Sequence, residues 1–180
     1  MILITGSKGD IGSHLMGYLK KDYIVRGYTE DIRNIEALRP HFKGVDMVIH
    51  CAAKKYDVSD EEFYSVNVEG TRNVAQLCLE NNAKLIHLSS ISINGAYGDS
   101  KQKGQEVVEQ MMEKGLKAVI LRLCSIGDPH PHRKRYPMEE LMRDIRFTID
   151  NFKIKIIDYE RGYPVSSDSE LLRSKSREDG

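Results

Sequence analysis

The sequence predicts an α/β protein, a doubly wound parallel sheet with helices on both faces, and three observations carry that prediction. Short apolar runs alternate with amphipathic stretches along most of the 180 residues. The first run, Ile2-Leu3-Ile4, stops at Thr5-Gly6, and Gly6, Gly9 and Gly12 follow at a spacing of three before a helical pattern begins. Later runs end in small or hydroxylated residues, Ala52-Ala53 and Ser89-Ser90, at the carboxyl ends of strands where open parallel sheets bind their ligands.

Taken in order, Ile2-Leu3-Ile4 is apolar and β-branched enough for a buried strand. A helix follows over residues 13–20 with Leu15, Met16 and Leu19 at helical spacing, and residues 23–28 return as a second strand. Residues 32–39 predict a brief helix with Ile35 and Leu38 inward, stopped by Pro40, and Gly44 introduces a third strand over 45–51. Past the polar segment 54–59, a long helix is expected over 60–79, capped by Ser59 or Asp60 and stopped by Asn81-Asn82. Its inward stripe is Phe63, Val66, Val74, Leu77 and Cys78. Residues 84–88 form a fourth strand whose end releases Ser89 and Ser90 into a loop. A helix over 97–114 closes at Gly115, and residues 117–124 make a fifth strand. Residues 128–137 read as a basic loop with Pro and His, 139–150 as a helix and 153–159 as a strand. Residues 166–180 are polar and charged enough to remain largely disordered.

Composition bounds the function. Lys+Arg and Asp+Glu both number 27, so no net field favours nucleic acid or an anionic membrane as a partner. Cys51, Cys78 and Cys124 are odd in number, lack close-paired spacing and sit in apolar runs, which reads as buried core thiols in a reducing compartment. No apolar stretch approaches the roughly 20 residues of a membrane span, and Met1 leads straight into the first strand. A cytoplasmic protein is expected.

Three glycines at this spacing permit a tight turn, close approach of backbone N–H groups to a diphosphate, and close helix-on-strand packing. The helix beginning near Ile11 would aim its positive end at that phosphate. Glycine-rich turns also join strands to helices in many folds, so later residues decide. Tyr97 and Lys101 stand four apart at a helix start, on one face and one turn apart. A phenol titrates near pH ~10, and an adjacent ammonium lowers that value, which suits Tyr97 to exchange a proton with a hydroxyl or carbonyl. Ser90, at the neighbouring strand end, can donate a hydrogen bond to the same oxygen. A bare Tyr-x-x-x-Lys also reads as a helix-surface pair; its place after a glycine turn and a Ser-ended strand gives it weight.

With these pieces in order, the sequence resembles the short-chain dehydrogenase/reductase superfamily, within it the extended NAD-dependent epimerase/dehydratase group. The resemblance rests on Thr5-Gly6-Ser7-Lys8-Gly9-Asp10-Ile11-Gly12, the strand ending Cys51-Ala52-Ala53, Asn67-Val68-Glu69-Gly70-Thr71, Leu88-Ser89-Ser90 and Tyr97-Gly98-Asp99-Ser100-Lys101. Asp31-Ile32-Arg33-Asn34 is similar to the stretch in which an Asp contacts adenine. The resemblance implies a Rossmann-type dinucleotide-binding domain over residues 1–150. It implies Tyr97 as catalytic acid/base, Lys101 lowering its pKa and holding the nicotinamide ribose, Ser90 polarising the substrate oxygen and Asn67 supporting the network. The helices over 60–79 and 97–114 are those such proteins pair into a dimer, so a homodimer is expected.

Three departures qualify the resemblance. Between the second strand and Asp31 there is almost no room for the usual helix and strand, so the sheet should lack one edge strand. Six residues separate Ser90 from Tyr97, too few for the usual substrate-covering loop, with Asn94-Gly95 as the turn. The C-terminal substrate region is truncated, residues 151–180 being its remnant and a partly disordered tail. The basic Arg133-Lys134-Arg135, beside His130 and His132, suits either a sugar-nucleotide diphosphate or a solvated loop. His130, His132 and Cys124 are not expected to hold a metal.

Lys8 favours the 2′-phosphate of NADP, whereas Glu30 and Asp31 favour the 2′-hydroxyl of NAD; NAD is the expected cofactor, with NADP as the other option. A nucleotide-sugar epimerase or reductase is the expected activity. Dehydration is disfavoured, because Ser90 is followed by Ile91-Ser92 rather than by an Asp-Glu pair. A dinucleotide-binding regulatory or structural protein is the alternative.

Overall fold

The computed structural model describes residues 1–56, 58–92, 94–127, 135–160 and 163–165. The expected disordered tail and most of the basic loop, with His130 and His132, lie outside them.

Six parallel strands form the sheet: β1 (Ile2–Thr5), β2 (Val25–Tyr28), β3 (Met47–His50), β4 (Lys84–Ser90), β5 (Ala118–Leu123) and β6 (Lys155–Glu160). An antiparallel seventh, β7 (Tyr163–Val165), completes the order β2-β1-β3-β4-β5-β6-β7. The β2 strand is an edge because its link to the next helix is too short to add another strand. The strand after residue 150 thus belongs to the same sheet as the five strands before it.

Alternation divides the core into two layers. Leu3, Val48, Leu85 and Ile120 face α2 (Ile35–Leu38), α4 (Thr71–Glu80) and α5 (Gly95–Glu113). Ile4, Ile49, Ile86 and Leu121 face α1 (Asp10–Leu19) and α6 (Met138–Asp150). The chain reverses direction across the sheet between β1 and β3, which opens a crevice at their carboxyl ends.

The long helix that ends in α4 is not uniform. It begins as α3 (Asp60–Tyr64), where the Ser59 hydroxyl accepts from the Glu62 amide at 3.2 Å. It then widens into a π-helical turn over Ser65–Gly70 before continuing as α4. The π turn carries Asn67, and it lets α5 approach closely: a Cβ on Gly104 would lie 2.3 Å from the Asn67 carbonyl oxygen.

Two sequence expectations change. The β4 strand runs through Ser89 and Ser90, paired with Arg122 and Leu123 of β5, so these serines end a strand instead of starting a loop. Of the three cysteines only Cys78 is buried; Cys51 and Cys124 are half-buried, because each follows the last residue of a strand and meets the crevice.

On the α6 side, Asp144 accepts from the Tyr136 hydroxyl, with the Tyr136 and Tyr159 rings edge-to-face at 5.1 Å. Burial raises the Asp144 carboxyl to about 6. The folded pKa exceeds the ordinary 3.8, so the stabilising protonated form is complete below pH 3.8 and lost as pH rises through about 6. Asp144→Asn is expected to raise the unfolding free energy by about 1–2 kcal/mol at pH 7 and to flatten that pH dependence. Urea melts at pH 4 and pH 7 measure it, and an Asn variant less stable at pH 7 refutes the assignment.

Candidate active site

The crevice at the carboxyl ends of β1, β3, β4 and β5 is a cleft of about 810 Å³. The Gly6–Gly12 turn forms one end. Gly6 has φ +65°, and a Cβ there would stand 2.7 Å from the Ala52 backbone. A Cβ on Gly12 would stand 2.2 Å from the Gly6 carbonyl oxygen, so no side chain fits between α1 and the turn. Gly9 is the N-cap of α1 and offers no side-chain cap, leaving first-turn amides available to an anion. A cradle shaped by absent Cβ atoms and free amides fits a dinucleotide diphosphate. Asp10, Ile11, Cys51 and Ala53 line the same end.

The other end is built by β4 and α5. Ser90, Tyr97 and Lys101 all line the cleft. Gly95 at φ +67° makes the turn from Asn94, so α5 begins two residues before Tyr97. The Phe63 ring meets the Tyr97 ring edge-on at 6.1 Å. Lys101 is 5% exposed and donates from Nζ to the Leu88 carbonyl at 2.7 Å. Burial brings its ammonium down to about 8.

Burial raises the Tyr97 phenol above its ordinary value, opposed by the charge of Lys55 and by the Ser90 hydrogen bond. The cation acting on the phenol here is therefore Lys55, on the loop after β3, whereas the Lys101 ammonium is turned to Leu88. Lys55 lines the cleft with Tyr56, whose ring it covers at 4.9 Å. Sequence reasoning missed it: the only signal is its place two residues after Ala53, inside a polar run. Ser125 and Met138 were also missed; both line the far wall.

Asn67 is 1% exposed and lies outside the cleft wall, behind it. Its Oδ1 accepts from the Lys54 amide at 2.8 Å, and its Nδ2 donates to the Lys54 carbonyl and the Ser100 hydroxyl, each at 3.0 Å. It joins the loop carrying Lys55 to the helix carrying Tyr97.

The adenosine-end candidates do not all converge. Lys8, Glu30 and Asp31 are exposed, and none lines the cleft. The Arg33 Nε donates to Asp31 at 2.8 Å, which holds that carboxylate below its ordinary range. The Ile32 side chain is core, packed over Gly70, where a Cβ would meet it at 2.6 Å. Ala52 backs Gly6 and is also absent from the lining. Among the described residues no cluster of three metal-ligating side chains occurs, and no helix is long and apolar enough to cross a membrane.

Residues 2–151 match the model of the NAD dependent epimerase/dehydratase family. The chain belongs to that family. Among curated relatives, the UDP-glucose 4-epimerase of Vibrio cholerae is 32% identical over 171 residues, covering 71% of this chain and 52% of its own. The structure of UDP-glucuronic acid 4-epimerase from Bacillus cereus in complex with NAD superposes with TM-score 0.77 at 18% identity, over 98% of this chain and 84% of that one. The dTDP-4-dehydrorhamnose reductase from Bacillus anthracis in complex with NADP gives 0.74 at 19% identity, over 98% and 80%. At such identities these structures establish the fold. The chain spans about half the length of the curated relatives it matches.

Proposed function

We propose that this member of the family is an NAD(P)-dependent oxidoreductase acting at a hydroxyl- or keto-bearing carbon of a nucleotide sugar, as an epimerase or reductase. The observation that carries this reading is that Ser90, Tyr97 and, one helical turn on, Lys101 line the same cleft whose other end is the glycine cradle. When bound, a nicotinamide dinucleotide supplies the hydride donor and acceptor. Gly6, Gly9, Asp10, Ile11 and Gly12 would hold its diphosphate, and Cys51, Ala53, Tyr97 and Lys101 its nicotinamide half. NAD is preferred over NADP, because Glu30 follows β2 as an exposed acid that a 2′-phosphate would meet with repulsion, and the family is NAD dependent.

In this reading Tyr97 exchanges a proton at its Oη with the substrate oxygen, and Ser90 donates to the same oxygen, steadying charge that develops there. Lys101 holds the ribose and, once turned from Leu88 toward the phenol, favours the phenolate. Lys55 supplies positive charge on the substrate side. Asn67 keeps the Lys54 loop and α5 in register. The Ile91-Ser92 that follow Ser90 continue to disfavour a dehydratase.

A screen of nucleotide sugars with each cofactor, followed at the nicotinamide absorbance and by product analysis, tests the reading. Tyr97→Phe is expected to lower kcat/KM by about 10²–10⁴-fold while leaving dinucleotide affinity within about twofold. Equal turnover by both proteins refutes the mechanism. A second reading, a dinucleotide-binding protein without turnover, draws on the short link from Ser90 to Gly95, too few residues for a substrate-covering loop between β4 and α5. Cofactor binding with no turned-over sugar would establish it.

We also propose a cytoplasmic homodimer formed through α4 and α5, which lie side by side on one face of the sheet. The three cysteines are free thiols, in keeping with a reducing compartment. Light scattering at micromolar concentration is expected to give twice the chain mass; a monomer rules the dimer out.

A further inference from the structure

Two buried histidines lie side by side behind the cleft, and the mechanism above uses neither. His50 ends β3 and His87 sits opposite it on β4, with ring centroids 5.3 Å apart and planes 29° from parallel. His87 has no hydrogen-bond partner at either ring nitrogen among the described residues. His50 has two: Nδ1 is 2.7 Å from the Thr5 hydroxyl and Nε2 is 3.0 Å from the Thr71 hydroxyl.

The direction of these bonds follows from the last link. Thr71 Oγ1 lies 2.7 Å from the Asn67 carbonyl oxygen, which only accepts, so the Thr71 proton points there. With that proton committed, Thr71 accepts from His50, and His50 must carry its proton on Nε2. The ring is neutral, since burial takes its pKa down to about 3. Nδ1 then accepts, and Thr5 donates to it. The Thr5 oxygen in turn accepts from the Ala52 amide at a long 3.5 Å. One directed chain therefore runs from Ala52, which backs Gly6, through Thr5, His50 and Thr71 to Asn67.

We propose that His50 is a positioning residue of the dinucleotide cleft, locked as the Nε2–H tautomer so that the Gly6/Ala52 floor and the π-helical turn bearing Asn67 keep one register. The proposal rests on the cofactor reading above. The glycine cradle follows β1, whereas the π-helical turn bearing Asn67 lies between β3 and β4. His50 bridges them from beneath, and the Asn67 side chain completes the link to Lys54 and Ser100.

The experiment pairs ring-nitrogen NMR of the wild type with dinucleotide affinity and thermal unfolding of His50→Leu, His50→Gln, Thr71→Val and His87→Phe. The wild-type His50 ring is expected to show a neutral Nε2–H tautomer, unchanged between pH 5 and 8. His50→Leu and Thr71→Val are expected to weaken NAD binding about tenfold. His50→Gln recovers part of the loss, because its amide nitrogen donates to Thr71. His87→Phe, which removes no hydrogen bond, is expected to stay within about twofold. An Nδ1–H or protonated ring at pH 7 overturns the proposal, as does a folded Thr71→Val or His50→Leu that binds NAD like wild type while only its melting point falls. If His50→Leu does not fold, Thr71→Val, His50→Gln and the ring spectrum decide. Wild type that binds no dinucleotide overturns the cofactor reading instead, and the tautomer remains readable.

Discussion

Lys101→Met is expected to make the ligand-free protein more stable at pH 7 and to abolish turnover. The ammonium is buried, with the Leu88 carbonyl as its hydrogen-bond acceptor, and its pKa falls from 10.5 to about 8. That shift corresponds to about 3 kcal/mol of penalty for holding the charge inside. Losing the bond to Leu88 costs about 1 kcal/mol in return, so the net gain is about 2 kcal/mol, or some 4–8 °C in Tm. The sign with pH follows from proton binding. Between pH 8 and 10.5 the unfolded chain holds a proton that the folded one has released, so Lys101 makes wild-type stability rise through that window. The advantage of Met over Lys is thus full below pH 8 and shrinks toward pH 10.5. Denaturant melts at pH 7 and pH 10 give the comparison; a Met variant less stable at pH 7 shows that the buried charge is repaid by partners. Activity, by the proposed role, drops at least about 10²-fold, and the charge is kept for chemistry at the expense of stability.

Gly12→Ala is expected to destabilise the protein by about 3 kcal/mol or more and to remove dinucleotide binding. The new Cβ would lie 2.2 Å from the Gly6 carbonyl oxygen and 2.9 Å from Ser7 Cα, both backbone atoms without a rotamer to yield. Relief requires α1 to move away from the turn, and the first-turn amides move with it. Gly17 supplies the control on the same helix. A Cβ there meets nothing within 4 Å, so Gly17→Ala is expected to stabilise by about 0.5–1 kcal/mol and to leave binding intact. Thermal melts and NAD titration of the pair give the result, and a Gly12→Ala protein that binds NAD normally would show the cradle to be dispensable.

The parts of the site that are legible in the sequence are local. A strand run broken by Gly6, glycines at a spacing of three and a Tyr-x-x-x-Lys at a helix start each express their geometry over a few residues. Helix and strand spacing then put Ser90, Tyr97 and Lys101 at carboxyl ends facing one crevice. What the sequence misplaces depends on distant partners. Ser89 and Ser90 remain in β4 because β5, about thirty residues on, extends far enough to pair with them. Cys51 and Cys124 look like core residues within their apolar runs, yet each stands one residue past the strand end. Asp31 looks like a free acid for a ribose, but Arg33 folds back onto it.

The sequence by itself determined the alternation of buried strands and amphipathic helices, the glycine cradle and the identity of the groups able to exchange a proton, because these depend on side-chain type and short-range period. Tertiary structure alone decided which cation acts on Tyr97, why Asn67 is buried, and that His50 rather than His87 is held by hydrogen bonds. Those outcomes depend on which burial and which long-range neighbour each group receives: a histidine between Thr5 and Thr71 has both nitrogens satisfied, and the one beside it has neither satisfied among the described residues.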